Sequence, residues 1–175
     1  MASNGSTGFQ PVPYNLTIAQ RNLPHWQIGG ATYFVTFRTA GIELKSKARQ
    51  IVLDACLFFD PGRYTLWTAV VMPDHAHLLL QPAENEDGKW HSLSSILHSI
   101  KSFTANKINK HLERSGHVWQ VESFDRIIRN DNEFFEKWNY IRNNPLKKEL
   151  AQSPCEWIGF YECTGKMPML PRTKM

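Results

Sequence analysis

Three observations predict that this 175-residue chain adopts an α+β fold with the order β-α-β-β-α-β and an additional C-terminal helix. Runs of β-branched and aromatic residues alternate with long stretches whose apolar residues recur at helical spacing. Only Pro73 and Asp74 separate two of those runs, which therefore form an antiparallel hairpin. A third amphipathic stretch, opened by a capping sequence, follows the fourth run.

The first strand is TYFVTFRTA (32–40), which has no helical spacing. In SKARQIVLDACLFFD (46–60), Ile51, Val52, Ala55, Phe58 and Phe59 mark one helix face, and Pro61-Gly62 ends the helix. YTLWTAVVM (64–72) and HAHLLLQP (75–82) are the second and third strands, and ENEDGKWHS is a polar loop. The second helix, 93–112, repeats apolar residues at Leu93, Ile96, Leu97, Ile100, Phe103 and Ile108. HVWQVESFDRII (117–128) is the fourth strand, and its mixed polarity leaves one face outside the core. Asn130 and Glu133 have capping-box spacing at the start of the third helix, whose apolar stripe is Phe134, Trp138 and Ile141. Pro145 limits it. This is the ferredoxin-like arrangement, an antiparallel sheet with helices on one face and the other face free. Residues 1–20 read as a flexible leader, 21–150 as one domain, and 151–175, with Pro154, Pro168 and Pro171, as an irregular tail.

The length suits one domain with a hydrophobic core of its own. Three cysteines, Cys56, Cys155 and Cys163, include no CxxC pair and leave an odd thiol, which points to a reducing, cytoplasmic setting. No signal-peptide pattern opens the chain and no apolar run reaches membrane-spanning length. A net charge of +4 and a pI near 9.0 lean toward an anionic partner. In the second half, cations interleave with Phe103, Trp119, Phe124 and Trp138, a pattern that suits single-stranded nucleic acid as well as solvated helix faces. No P-loop pattern is present, so no nucleotide cofactor is expected.

Two features carry chemistry. His75 and His77 lie one residue apart at the start of a strand, so both imidazoles project from the same face while Ala76, Leu78 and Leu80 face the other. Such a pair is either a metal-holding arrangement or two ordinary polar residues. On a helical wheel at about 100° per residue, Tyr140 falls nearly opposite Phe134, Trp138 and Ile141. It is not simply a core residue. Asn144, four residues on, lies beside it if the helix persists.

The strings HWQIGGATYFVTFRT, VVMPDHAHLLL, SIKSFTANKIN, VWQVESFDRIIRN and YIRNNPLK, in this order, resemble the REP-associated tyrosine transposases, single-tyrosine members of the HUH endonuclease superfamily. The resemblance covers residues 20 to 150. It implies that His75 and His77 bind a divalent metal, Mg²⁺ or Mn²⁺, and that Tyr140 is the nucleophile. The position of a third ligand falls on Asn144, with Glu122 as an alternative ligand or supporting group. The substrate implied is single-stranded DNA folded into a REP-type hairpin, cleaved and rejoined through a 5′-phosphotyrosine intermediate by a monomer, although insertion-sequence relatives act as dimers that exchange the tyrosine helix. Arg21, Lys101, Arg126, Arg129 and Arg142 are candidates for phosphate contacts, and Trp119 for base stacking or core packing. The alternatives are a catalytically inert DNA-binding regulator and a metal-dependent nuclease using water, although HxHxDH and HExxH patterns are missing.

Overall fold

The computed structural model describes residues 16–20 and 24–163. Strands β1 (Leu16–Gln20) and β2 (Pro24–Ile28) pair antiparallel as a separate two-stranded sheet. The main sheet comprises β3 (Tyr33–Thr39), β4 (Tyr64–Val71), β5 (His75–Pro82), β6 (Trp119–Ile127) and β7 (Phe160–Glu162), in the order β6-β3-β5-β4-β7 with every neighbour antiparallel. Helices α1 (Ser46–Phe58) and α2 (Leu93–His111) connect the strands as expected, and α3 (Asp131–Arg142) runs almost directly into the short α4 (Asn144–Lys147). The βαββαβ core is thus the arrangement that the sequence predicts.

Strand alternation divides the interior into two layers. Tyr33, Val35, Phe37, Ala76, Leu78 and Leu80 point toward α1 and α2, where they meet Val52, Cys56, Ile96 and Ile100. Phe34, Val70, Met72 and Leu79 point the other way and are covered by Phe134, Trp138 and Ile141 of α3. The expectation that the second face is free is therefore corrected: the apolar stripe of α3 has to be buried, and this face of the sheet is where it goes. Phe58 and Phe103, at the margins of their helical stripes, are exposed.

Two further corrections concern the ends. The leader contains β1, and Gln27 of β2 ties the hairpin to the start of α2 through His91 O (2.9 Å) and Leu93 N (3.0 Å). The region after residue 150 is structured as far as Cys163. Trp157 is buried against the α3 layer and donates Nε1–H to Val71 O (2.9 Å), while β7 extends the sheet alongside β4. Arg49, itself buried, holds this segment by stacking over Trp157 (4.2 Å) and donating to Ile158 O (3.0 Å).

Gly159 makes that docking sterically feasible. Its φ is +118°, and a Cβ at this position would lie 2.8 Å from Val71 O. Gly159→Ala is expected to lower the unfolding free energy by about 1–3 kcal/mol, measured by urea denaturation.

Candidate active site

Strand β5 is the middle strand of five, paired on both edges, and α1 and α2 cover one of its faces while α3 covers the other. The pleat that sends Ala76, Leu78 and Leu80 into one layer sends His75 and His77 to the α3 side, as the sequence predicts. Both imidazoles are buried, with ring centroids 4.6 Å apart. Tyr140 arrives from α3 and sets its ring edge against His77 (5.2 Å) and Phe34 (5.9 Å), while Phe34 stacks on His77 (5.3 Å). The phenol remains 39% exposed, so it can meet a large substrate from solvent. The structure therefore brings Tyr140 to a histidine pair more than 60 positions earlier in sequence.

Each histidine is held through Nδ1. Asp74 Oδ1 lies 2.6 Å from His75 Nδ1, and Thr36 Oγ1 lies 2.7 Å from His77 Nδ1. With Nδ1–H donating in both cases, each Nε2 presents a lone pair. Burial pulls the Asp74 carboxyl upward, but its hydrogen bond and charge interaction with His75, helped by Arg38, more than offset this and hold it below the usual carboxylate range. His77 is pushed down to about 3, first by burial and then by the positive potential of His75 and Arg38, so its ring is neutral at physiological pH. Among the described residues its buried Nε2 has no hydrogen-bond partner. Nor has Oδ1 of Asn144, a residue that is itself buried at the start of α4. Only Asn143 interrupts the helix, with φ −88° and ψ 0°, and Asn143 N–H still bonds to Asn139 O (2.9 Å). The chain thus carries Asn144 about one further turn beyond Tyr140 despite Pro145.

The chemistry of these donors suits a divalent cation. A neutral imidazole with an orphaned nitrogen and a buried amide oxygen without a partner both lack the bond that burial demands, and a metal ion would supply it. Among the described residues no three His, Cys, Asp or Glu side chains gather at metal-holding distance. Glu122 therefore does not complete a direct ligand set with His75 and His77. Two imidazoles and an amide carry no charge, so a bound ion would keep its full positive charge toward an anionic substrate.

The remaining candidates divide between the two faces. Arg126 and Arg129 converge on the buried Glu133 at the start of α3, with Nε–O distances of 2.6 and 3.2 Å, and both guanidinium groups keep solvent exposure. Burial raises the Glu133 carboxyl, but hydrogen bonds from Arg129 and Arg126 more than offset this and lower it. Glu133 is thus engaged by the arginines, while Asn130 Oδ1 caps Glu133 N (2.9 Å). Arg142 pairs with Glu162 (3.1 Å). Lys101 lies on the other side of the sheet, where its Nζ donates to Val121 O (2.8 Å) and Ser123 Oγ (3.3 Å). Trp119 is core: it is buried edge-on to Phe37 and donates Nε1–H to Thr104 Oγ1 (2.9 Å), which overturns its reading as a stacking platform. Lys101 and Trp119 both line a groove of about 730 Å³ between α2 and β6, on the sheet face opposite Tyr140. Arg21 lies outside the described residues.

Sequence reasoning missed Asp74, Thr36, Phe34 and Lys147. Asp74 reads as a turn residue, and Thr36 becomes visible only through the β3–β5 register that sets it opposite His77. Lys147 Nζ sits 5.8 Å from the Tyr140 ring centroid, and Lys137 Nζ sits 5.7 Å from that of Phe34. Lys147 thus places a cation over the Tyr140 ring, while Lys137 is paired with Glu136 (2.7 Å).

A family model described as "Transposase IS200 like" matches residues 42–144, a span that includes His75, His77, Tyr140 and Asn144. The chain belongs to the IS200-like transposase family. A Haemophilus influenzae protein named "Putative REP-associated tyrosine transposase" is 28% identical over 95 residues, covering 50% of this chain and 52% of the relative. A second, uncharacterized H. influenzae protein is 26% identical over 100 residues, covering 47% and 55%. The chain spans about half the length of these relatives. A solved REP-associated tyrosine transposase bound to a REP hairpin shares the fold, with a TM-score of 0.64 and 22% identity over 79% of this chain and 80% of that one.

The depressed His77 also sets a pH dependence. Below an ordinary histidine pKa of about 6.5 the unfolded chain takes up a proton that the folded chain refuses until about pH 3. Stability therefore falls as the pH drops through that window, at up to about 1.4 kcal/mol per pH unit from this group. In denaturant titrations between pH 4 and 6, His77→Asn is expected to show a shallower loss of stability than the wild type.

Proposed function

We propose that the chain is a metal-dependent single-stranded DNA endonuclease and strand transferase that acts on REP-type hairpins through a 5′-phosphotyrosine intermediate, with Tyr140 as nucleophile. One observation carries this reading: the half-exposed Tyr140 ring lies against a buried, neutral His77 whose Nε2 has no partner. His75 and His77, through Nε2, and Asn144, through Oδ1, would hold Mg²⁺ or Mn²⁺. When bound, the ion would supply a Lewis acid for a non-bridging oxygen of the scissile phosphate.

The chain's own residues do the rest. Asp74 accepts from His75 Nδ1–H, and Thr36, as the acceptor of His77 Nδ1–H, would leave the His77 Nε2 lone pair free for the ion. Lys147, whose Nζ lies over the Tyr140 ring, offers a cation to the DNA backbone. Tyr140 Oη attacks phosphorus, the bond from phosphorus to the 3′ oxygen breaks, and that oxygen leaves to take up a proton as a free 3′-hydroxyl. The 5′ phosphate stays on the tyrosine, so a 3′-hydroxyl from another strand can reverse the step without an energy source. Arg126, Arg129 and Arg142 lie on or beside the same helix and serve phosphate contacts. We place this activity in the cytoplasm, in a monomer that carries its own tyrosine helix.

Incubation with a labelled single-stranded hairpin and Mn²⁺ should yield a denaturation-resistant protein–DNA adduct that is absent with chelator and absent in Tyr140→Phe. Cleavage without an adduct would instead indicate a water nucleophile, and binding without cleavage an inert module. Independently of activity, Thr36→Val and Asp74→Ala should each weaken Mn²⁺ binding by about tenfold or more, measured by calorimetry on the DNA-free protein.

A further inference from the structure

Helix α3 is fastened to the sheet at three places. Its apolar stripe packs on Phe34, Met72 and Leu79, and its N-terminal end is tied by Glu133 to Arg126 and Arg129. The third fastening comes from the segment after residue 150. Glu162, the last residue of β7, accepts hydrogen bonds on one oxygen, Oε1, from Trp138 Nε1 (3.1 Å) and from Arg142 Nη1 (3.1 Å). These donors lie two residues before and two residues after Tyr140. We propose that Glu162 is a positioning residue that locks the C-terminal half of α3 so that Tyr140 stays on His77.

The lock needs a fixed base, and β7 has one. Glu162 pairs in register with Thr68 of β4, Thr68 Oγ1 donates to Tyr161 O (2.8 Å), and Cys163 N donates to Trp67 O (2.9 Å). Upstream, Trp157, Ile158 and Gly159 are clamped to Val71 and Arg49. The strap is thus bonded to β4, the strand next to the one that carries the histidines. Glu162 is only 14% exposed, which strengthens its charged hydrogen bonds over those of a solvated pair. The strap lies wholly beyond residues 42–144, so the matched family segment does not include it. Without Glu162, the buried indole N–H of Trp138 and the guanidinium of Arg142 lose their shared acceptor. Helix α3 then keeps its apolar contacts but loses the polar tie that narrows its rotation about them.

The proposal rests on Tyr140 being the nucleophile, and the test separates the two ideas. In Glu162→Ala the rate of adduct formation at saturating hairpin and Mn²⁺ should fall roughly tenfold to a hundredfold, the scale on which misplacement of a reacting group acts. Glu162→Gln, which keeps an acceptor, should recover part of the loss. Amide hydrogen exchange should quicken across residues 136–142 in Glu162→Ala while β3 and β5 stay protected. Trp138→Phe, which preserves packing and removes the donor, should slow the reaction and be non-additive with Glu162→Ala. An adduct rate in Glu162→Ala equal to wild type, or exchange in α3 that does not change, overturns the positioning role. An adduct that survives Tyr140→Phe overturns the nucleophile assignment instead, and the exchange measurement then still decides whether Glu162 holds the helix.

Discussion

Everything at the site depends on β5 being buried on both faces. In a central antiparallel strand the side-chain period of two leaves no freedom: once Ala76, Leu78 and Leu80 are committed to the layer beneath α1 and α2, His75, His77 and Leu79 must occupy the other. A slip of one residue would exchange the two sets and put imidazoles into an aliphatic core. Hydrophobic burial on one face of the sheet therefore fixes the chemistry on the other. Helix α3 is held on that face by burying Phe134, Trp138 and Ile141, and Tyr140, outside this stripe, still meets the rings of His77 and Phe34.

Burying two imidazoles carries a cost that the fold meets only in part. Each Nδ1 has a partner, from Asp74 or from Thr36, and His77 responds to burial by staying neutral. Among the described residues, His77 Nε2 and Asn144 Oδ1 are left without partners, as are Trp67 Nε1, Asn109 Oδ1 and Arg114 Nη1 elsewhere in the fold. Polar atoms left without partners in an otherwise well-bonded interior mark places where something other than folding has set the residue. An apolar residue at position 77 would pack between Phe34 and Tyr140 without that penalty, so the penalty is informative.

Most of the fold between residues 33 and 142 is legible because its elements are long and their periods unambiguous. The ends were not. The three residues of β7 have no pattern of their own, and their pairing with β4 is a contact across more than ninety positions. The leader hairpin is similarly short. At the site, the histidine pair and the tyrosine stand out in the sequence because spacing carries them, whereas Thr36 is ordinary until strand register sets it opposite His77. Trp119 shows the opposite error: an aromatic residue among cations reads as a nucleic-acid contact, yet the start of an edge strand still has to plug the core.

The candidate cations illustrate why position matters more than composition. Lys101 is consumed by the α2–β6 contact, and Arg126, Arg129 and Arg142 are each tied to a carboxylate. A tied arginine is not lost to DNA, since a guanidinium has five donors and Glu133 takes one Nε–H from each partner through its two oxygens. The pairing fixes the planar groups while leaving their outer edges in solvent, which reduces the entropy lost when a phosphate arrives. Arg142 combines this with the strap: the ion pair that ties the tyrosine helix to β7 also holds a cation two residues from the phenol, so one interaction would orient both the proposed nucleophile and the charge that meets its substrate.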